Sequence, residues 1–245
     1  MEPASGPSRT STDPKRDDLH PEMRARLERQ ADLSLARRSV RGSVIYPALT
    51  LVVVLTSPDL HELPVFGWGT FAALAVLGIA RALVAHGFER FRDPHPRGWT
   101  AAFWLTTLGL GVVWSHFTSR ILLDGGFGST GLLVMMATAG IGAGTVSSLG
   151  MNRPLTIAME SVLLLPLALA ATMGAHADAS ALAVGSCVLL FWVFMLIETR
   201  HQHRHYWTSI KNSALLEQRA EELERARSAA ETATRSKGAF LANMS

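Results

Sequence analysis

Between residues 40 and 197 the chain passes through six apolar stretches, which limit its fold more than any other feature. They lie at about 40–56, 68–85, 99–118, 125–150, 154–173 and 179–197. A helix needs roughly 20 residues to cross a hydrocarbon core. With no water there, a single segment satisfies its amides and carbonyls only as a helix. Five stretches meet that length comfortably, whereas the first is short and contains Pro47. The expected fold is all-α: a polytopic membrane helix bundle of about six spans, with the lipid bilayer as its partner.

Composition fits this reading, since 48% of the residues are hydrophobic and 18% charged. The charge sits mostly in residues 1–42 and 198–245. A pI near 9.5 raises the possibility of nucleic acid. Nucleic-acid binders, however, gather Lys and Arg on one folded face, and here those residues flank apolar runs. They follow the positive-inside pattern. Arg37, Arg38 and Arg41 precede the first stretch; Arg90, Arg92 and Arg97 follow the second; Arg153 follows the fourth; Arg200 and Arg204 follow the sixth. The first and fifth connections carry no Lys or Arg, and the third carries only Arg120. A multi-pass protein with both termini cytoplasmic and no nucleic-acid partner is expected. Its outer connections are too short for a separate sensing domain.

Residues 1–20, rich in Pro, Ser, Thr and charge, are expected to be disordered. Over 21–39, Met23, Leu27, Ala31 and Leu35 recur every four residues among arginines, the pattern of a basic amphipathic helix. The six-span block then occupies 40–197. From 198 the sequence turns polar and helix-forming, without Pro and with Gly238 alone. Leu216, Leu223 and Ala230 recur every seven residues, and Ala226, Ala233 and Phe240 form a second series. That is a coiled-coil pattern, so 198–235 is expected to be a long cytoplasmic signalling helix.

The tail ends on SKGAFLANMS, residues 236–245. This stretch resembles the lead-in to the dimerisation and phosphoacceptor helix of bacterial sensor histidine kinases, particularly the hybrid ones. The match falls on Ser236, Lys237, Phe240, Leu241, Ala242, Asn243, Met244 and Ser245, with Ala239 a mild departure. The resemblance covers about the last twenty residues. It implies that 236–245 begins a dimerisation domain, that a homodimer partner exists and that a phosphoacceptor histidine would come next. It also implies that the parent protein is an ATP-dependent protein-histidine kinase, using Mg²⁺ and passing phosphate to an aspartate of a response regulator or receiver domain. Neither that histidine nor an ATP-binding motif lies within the 245 residues. The chain is therefore expected to be inactive alone, with no cofactor, metal or catalytic residue of its own, and to sit in a bacterial inner membrane.

Within the apolar stretches three polar residues are candidate signal residues. Glu160 in the fifth is the foremost, because intramembrane carboxylates tend to mark function. Arg81 ends the second, near enough to the inner face to snorkel or to pair with Glu160. His116 lies near the outer end of the third. His201 and His205 share a helix face, which suits either a metal or a cationic patch near headgroups. Gly140 and Gly144 have the small-residue spacing that lets helices approach closely, within the bundle or between protomers. Cys187 is expected to be a packing residue, and the tryptophans to mark membrane interfaces. Two other classes stay open: a small transporter or channel lined by Glu160 and Arg81, and a membrane-anchored second-messenger cyclase.

Overall fold

The computed structural model describes residues 21–91, 94–173 and 179–243. The stretch expected to be disordered, residues 1–20, lies outside them, as do Met244 and Ser245. The described residues form helices α1 (Pro21–Thr56), α2 (Pro58–His61), α3 (Pro64–His86), α4 (Phe88–Phe91), α5 (Pro96–Gly125), α6 (Ser129–Leu149), α7 (Arg153–Met173) and α8 (Ala179–Asn243), with no strand among them. Their ends are written in Pro and Gly. Pro opens α2, α3 and α5 in the first turn, where its missing N–H costs nothing. Gly126 closes α5 at φ 61°, a conformation that disfavours a side chain.

Five of these helices are long and apolar enough to cross a membrane: α1 from Ala31, α3, α6, α7 and the first part of α8. The expected third span, inside α5, is long at 30 residues but falls outside that apolar set. Its tryptophans, threonines and His116 dilute its leucines and valines. The outer surface of the bundle is apolar, with Val44, Val76, Leu83, Leu105, Met136 and Leu190 all more than half exposed. A large apolar exterior of this kind marks a surface meant for an apolar medium or partner.

Two segment boundaries drawn from the sequence lie within continuous helices. The basic stretch 21–39 and the first apolar stretch form the single helix α1, with Pro47 inside it. Leu35 and Ala36 are buried in a core cluster with Phe88, Trp99, Phe103 and Leu155. That part of α1 packs on protein. Likewise α8 runs 65 residues from the last apolar stretch through 236–243. Every side chain described from Asn212 to Glu231 is exposed, Leu216 and Leu223 included.

The core is organised around α7, which packs against α5, α6 and α8, while α1 packs against α3 and α6. Three of the tryptophans join helices to one another. Trp114 is fully buried and Trp99 nearly so. Trp99 Nε1 donates to the Val84 carbonyl oxygen at 2.9 Å, joining α5 to α3. Trp114 Nε1 donates to Thr138 Oγ1 at 3.0 Å, joining α5 to α6. Trp192 Nε1 donates to Ser161 Oγ at 3.2 Å, joining α8 to α7. Cys187, expected inside, is exposed on α8.

Helices α1 and α3 meet at one tight point. Pro47 has no N–H to give the Ser43 carbonyl four residues back. Gly78 of α3 lies against that carbonyl so closely that a Cβ there would stand 2.5 Å from its oxygen. Gly78→Ala should therefore force the helices apart at a cost of about 1–3 kcal/mol. The thermal unfolding midpoint of the purified chain in detergent would fall. Gly69→Ala, with no atom within 4 Å of the new Cβ, should leave it unchanged or raise it.

Candidate functional site

Most buried hydroxyls elsewhere in the bundle bond backward to their own helix, as Thr50 does to the Tyr46 carbonyl at 2.9 Å. The two buried charged groups among the described residues have no such recourse. Glu160 on α7 has no exposed surface, and neither carboxylate oxygen has a hydrogen-bond partner. Arg81 on α3 is 3% exposed and its Nε is unpartnered. No ion pair joins them among the described residues. The pairing considered from their positions in the sequence is not formed.

Tyr46 of α1 is within electrostatic range of both. It is buried, and its hydroxyl pairs with the Thr145 side chain on α6. Its ring meets Trp114 edge-on at 6.0 Å. Trp114 is held in turn by Thr138, which donates onward to the Val134 carbonyl at 2.7 Å. Tyr46 is thus positioned by three helices at once. Sequence reading passed over it, although one signal was present: it is one of two tyrosines and stands beside the proline of the first apolar stretch.

The Arg81 guanidinium stacks over the Phe103 ring at 5.7 Å, a cation–π contact. Its Nη atoms turn toward Gly42, where a Cβ would lie 3.7 Å from the nearer. They border a cavity of about 710 Å³ between the 37–46 part of α1 and the 140–149 part of α6. Arg37 and Arg38 stand on its wall with Tyr46, Thr145, Ser147 and Ser148. Gly140 and Gly144 also line it, and a Cβ at either would touch nothing within 4 Å. Within this chain those two glycines leave room and bring no helix close. Gly142 between them is the one that packs, its Cβ position 3.1 Å from Glu160 Oε2.

His116 is elsewhere. It is exposed on α5, edge-on to Phe66 at 6.2 Å. It lies 13 residues along α5 from the Phe103 that Arg81 covers, which is about 20 Å. In the tail, His201 and His205 face each other with Nε2 atoms 2.9 Å apart. No group of three or more metal-type ligands occurs among the described residues. His203 Nδ1 lies 3.2 Å from the Gly150 carbonyl oxygen, joining α8 to the turn after α6. For Ser236, Lys237, Phe240, Leu241, Ala242 and Asn243 the backbone is described, helical throughout.

No family model, curated protein or solved structure matches this chain. The site therefore rests on its own geometry. A cation with an unpartnered donor faces a cavity, and a carboxyl group without donors is buried nearby, outside the cavity lining. This arrangement can bind an anion.

The orphaned carboxylate makes a direct prediction. Glu160→Gln removes a buried ionisable group and no hydrogen bond, so the thermal midpoint in detergent should hold or rise. Thr138→Val deletes the acceptor of Trp114 and should cost about 0.6 to 2 kcal/mol, read by the same melt.

Proposed function

We propose that this chain is the membrane input module of a two-component sensor histidine kinase and works as a homodimer in a bacterial inner membrane. The observation that carries the reading is the end of α8. The Ser236, Lys237, Phe240, Leu241, Ala242, Asn243, Met244, Ser245 pattern follows without a break on the helix that contains the last apolar segment, as far as Asn243. At 1.5 Å per residue, 65 residues extend about 100 Å. A rotation or shift of the apolar end is therefore delivered to the position where a phosphoacceptor helix would begin.

In this reading α5 is the sixth span, and charge supports it. If α5 did not cross, Arg90 and Arg97 before it would face one side while Arg153, Arg200 and Arg204 faced the other. With α5 crossing, all of them face the cytoplasm. Both ends of the chain are then inside, where ATP is. ATP and Mg²⁺ would be held by a domain after residue 245, as would the histidine and the contact with a response regulator. Glu160 and Arg81 are the signal residues, joined through Tyr46. Ser161, next to Glu160, receives the Trp192 bond from α8, so the site touches the transmitting helix directly.

Reading the gene beyond codon 245 tests this. A histidine at the next codon followed by an acidic residue, then an ATP-binding region, is expected. A frame with neither would overturn the proposal in favour of a transporter, whose pathway the Arg81 cavity would be.

Dimerisation has its own test. In a Cys187→Ser background, Leu216→Cys and Leu223→Cys should each cross-link to themselves in membranes, and Glu217→Cys should not. Equal cross-linking at all three would remove the parallel coiled coil.

A further inference from the structure

We infer that the cavity between α1 and α6 binds a phosphate-bearing anion, with Arg81 at its floor and Arg37 and Arg38 at its wall. The inference goes beyond the signalling proposal and stands on the cavity alone. Arg81 is the decisive group. An arginine guanidinium stays charged at ordinary pH, and this one is 97% removed from solvent. A buried charge without a partner is unfavourable. No carboxylate pairs with it among the described residues, and Phe103 offers only a ring face. Its Nε is unpartnered and the group borders open volume. The missing partner is therefore an anion that enters the cavity.

The rest of the lining narrows its chemistry. Three guanidiniums alone offer more donors than a carboxylate has lone pairs to accept, while the Ser148 hydroxyl is committed to the Gly144 carbonyl and that of Tyr46 to Thr145. Such a donor set suits a phosphate, whose oxygens point in several directions and take arginine forks two at a time. Glu160 does not line the cavity.

Size narrows it further. About 710 Å³ is far more than a bare phosphate fills and lies within the range of small-molecule sites. The volume continues over apolar groups: Ile45 and Ile141 line it, and Gly140 and Gly144 keep its α6 wall low. On α6, exposed Met136 stands one turn before Gly140. On α1, Leu49 and exposed Val52 follow Ile45 at four and seven residues. An anionic phospholipid fits this surface, with its headgroup among the arginines and its chains along that strip. A soluble phosphate compound would use the headgroup position alone.

The test measures lipid retention by native mass spectrometry on the purified, delipidated full chain. Phosphatidylglycerol, phosphatidylcholine or inorganic phosphate is added back. The wild type should retain one phosphatidylglycerol in preference to phosphatidylcholine. Gly144→Leu, which fills open space, and the Arg37→Gln/Arg38→Gln pair on the exposed rim should each weaken retention about tenfold or more. Gly69→Leu, away from the cavity, should not. These variants leave Arg81 in place, so the result does not depend on an Arg81→Gln chain folding. Inorganic phosphate that displaces the lipid, and is itself lost in Gly144→Leu, would assign the site to a soluble phosphate compound. Equal retention of both lipids, or retention indifferent to Gly144→Leu with no phosphate binding, would overturn the inference. The readout is occupancy, so its failure leaves the kinase proposal standing, and the reverse also holds.

Discussion

A hydroxyl inside this bundle has its own helix as nearest acceptor, and most take it. Thr50, Thr70, Ser161 and Thr199 each donate to the carbonyl four residues back. That bond satisfies the group where no water is at hand, but it leaves the hydroxyl proton unable to join one helix to another. The joining falls to donors too far from their own backbone to bond it. The indole N–H, at the far end of a large rigid ring, is such a donor, and Trp99, Trp114 and Trp192 each use it to reach a second helix. Thr138 and Ser161 then serve twice, donating to their own helix and accepting from a tryptophan. A few large residues thus fix how the helices are rotated about their axes.

That rotation explains why the charged groups end where they do. Pro47 frees the Ser43 carbonyl, and Gly78 gives the closest approach any residue allows to it. With α3 held against α1 at Gly78, Arg81 lies three residues further on, on the same side. Its guanidinium then meets the gap left by Gly42 and has Phe103 beneath it. Gly42, Pro47 and Gly78 are each unremarkable in an apolar helix. Together they place a cation against a cavity.

Much of this was legible in the sequence and some was not, for physical reasons. The apolar stretches, the unbroken tail and the isolation of Glu160 and Arg81 follow from composition read along one dimension. What cannot be read that way is which face of each helix looks inward. Gly140, Gly142 and Gly144 look alike as a run of small residues, yet Gly142 packs on Glu160 while the other two face open space. Two residues on a helix are about 200° apart, so a modest rotation decides which one packs. Tyr46 was missed for the same reason, since its importance comes from Trp114 and Thr145, 68 and 99 positions away. Trp114 looks like an interface marker until α6 is placed beside it. The polarity of α5 also has a structural explanation: its Thr107, Gly111 and Ser115 form one buried face, with Gly111 against Met159. A helix that gives its small polar side to a neighbour needs less apolarity than one surrounded by lipid.

The cavity and the transmitting helix are joined at two heights, and this limits how a signal would travel. Near the carboxylate, Trp192 of α8 is bound to Ser161 of α7. At the far end of the cavity wall, α6 finishes at Leu149, and the Gly150 carbonyl meets His203 of α8. Gly150 is also tight against Gln202, whose Cβ would stand 3.1 Å from a Cβ placed there. Trp192 and His203 are 11 residues apart on α8, a length of about 16 Å. An anion that drew α1 and α6 together would move the lower contact while the upper one, held by α7, stayed in place. A helix held at one point and pushed at another tilts or turns about the first. Beyond Lys211 every described side chain of α8 as far as Glu231 is exposed. Under the signalling proposal, such a displacement would change the pose of residues 216 and 223, where a partner helix would register it.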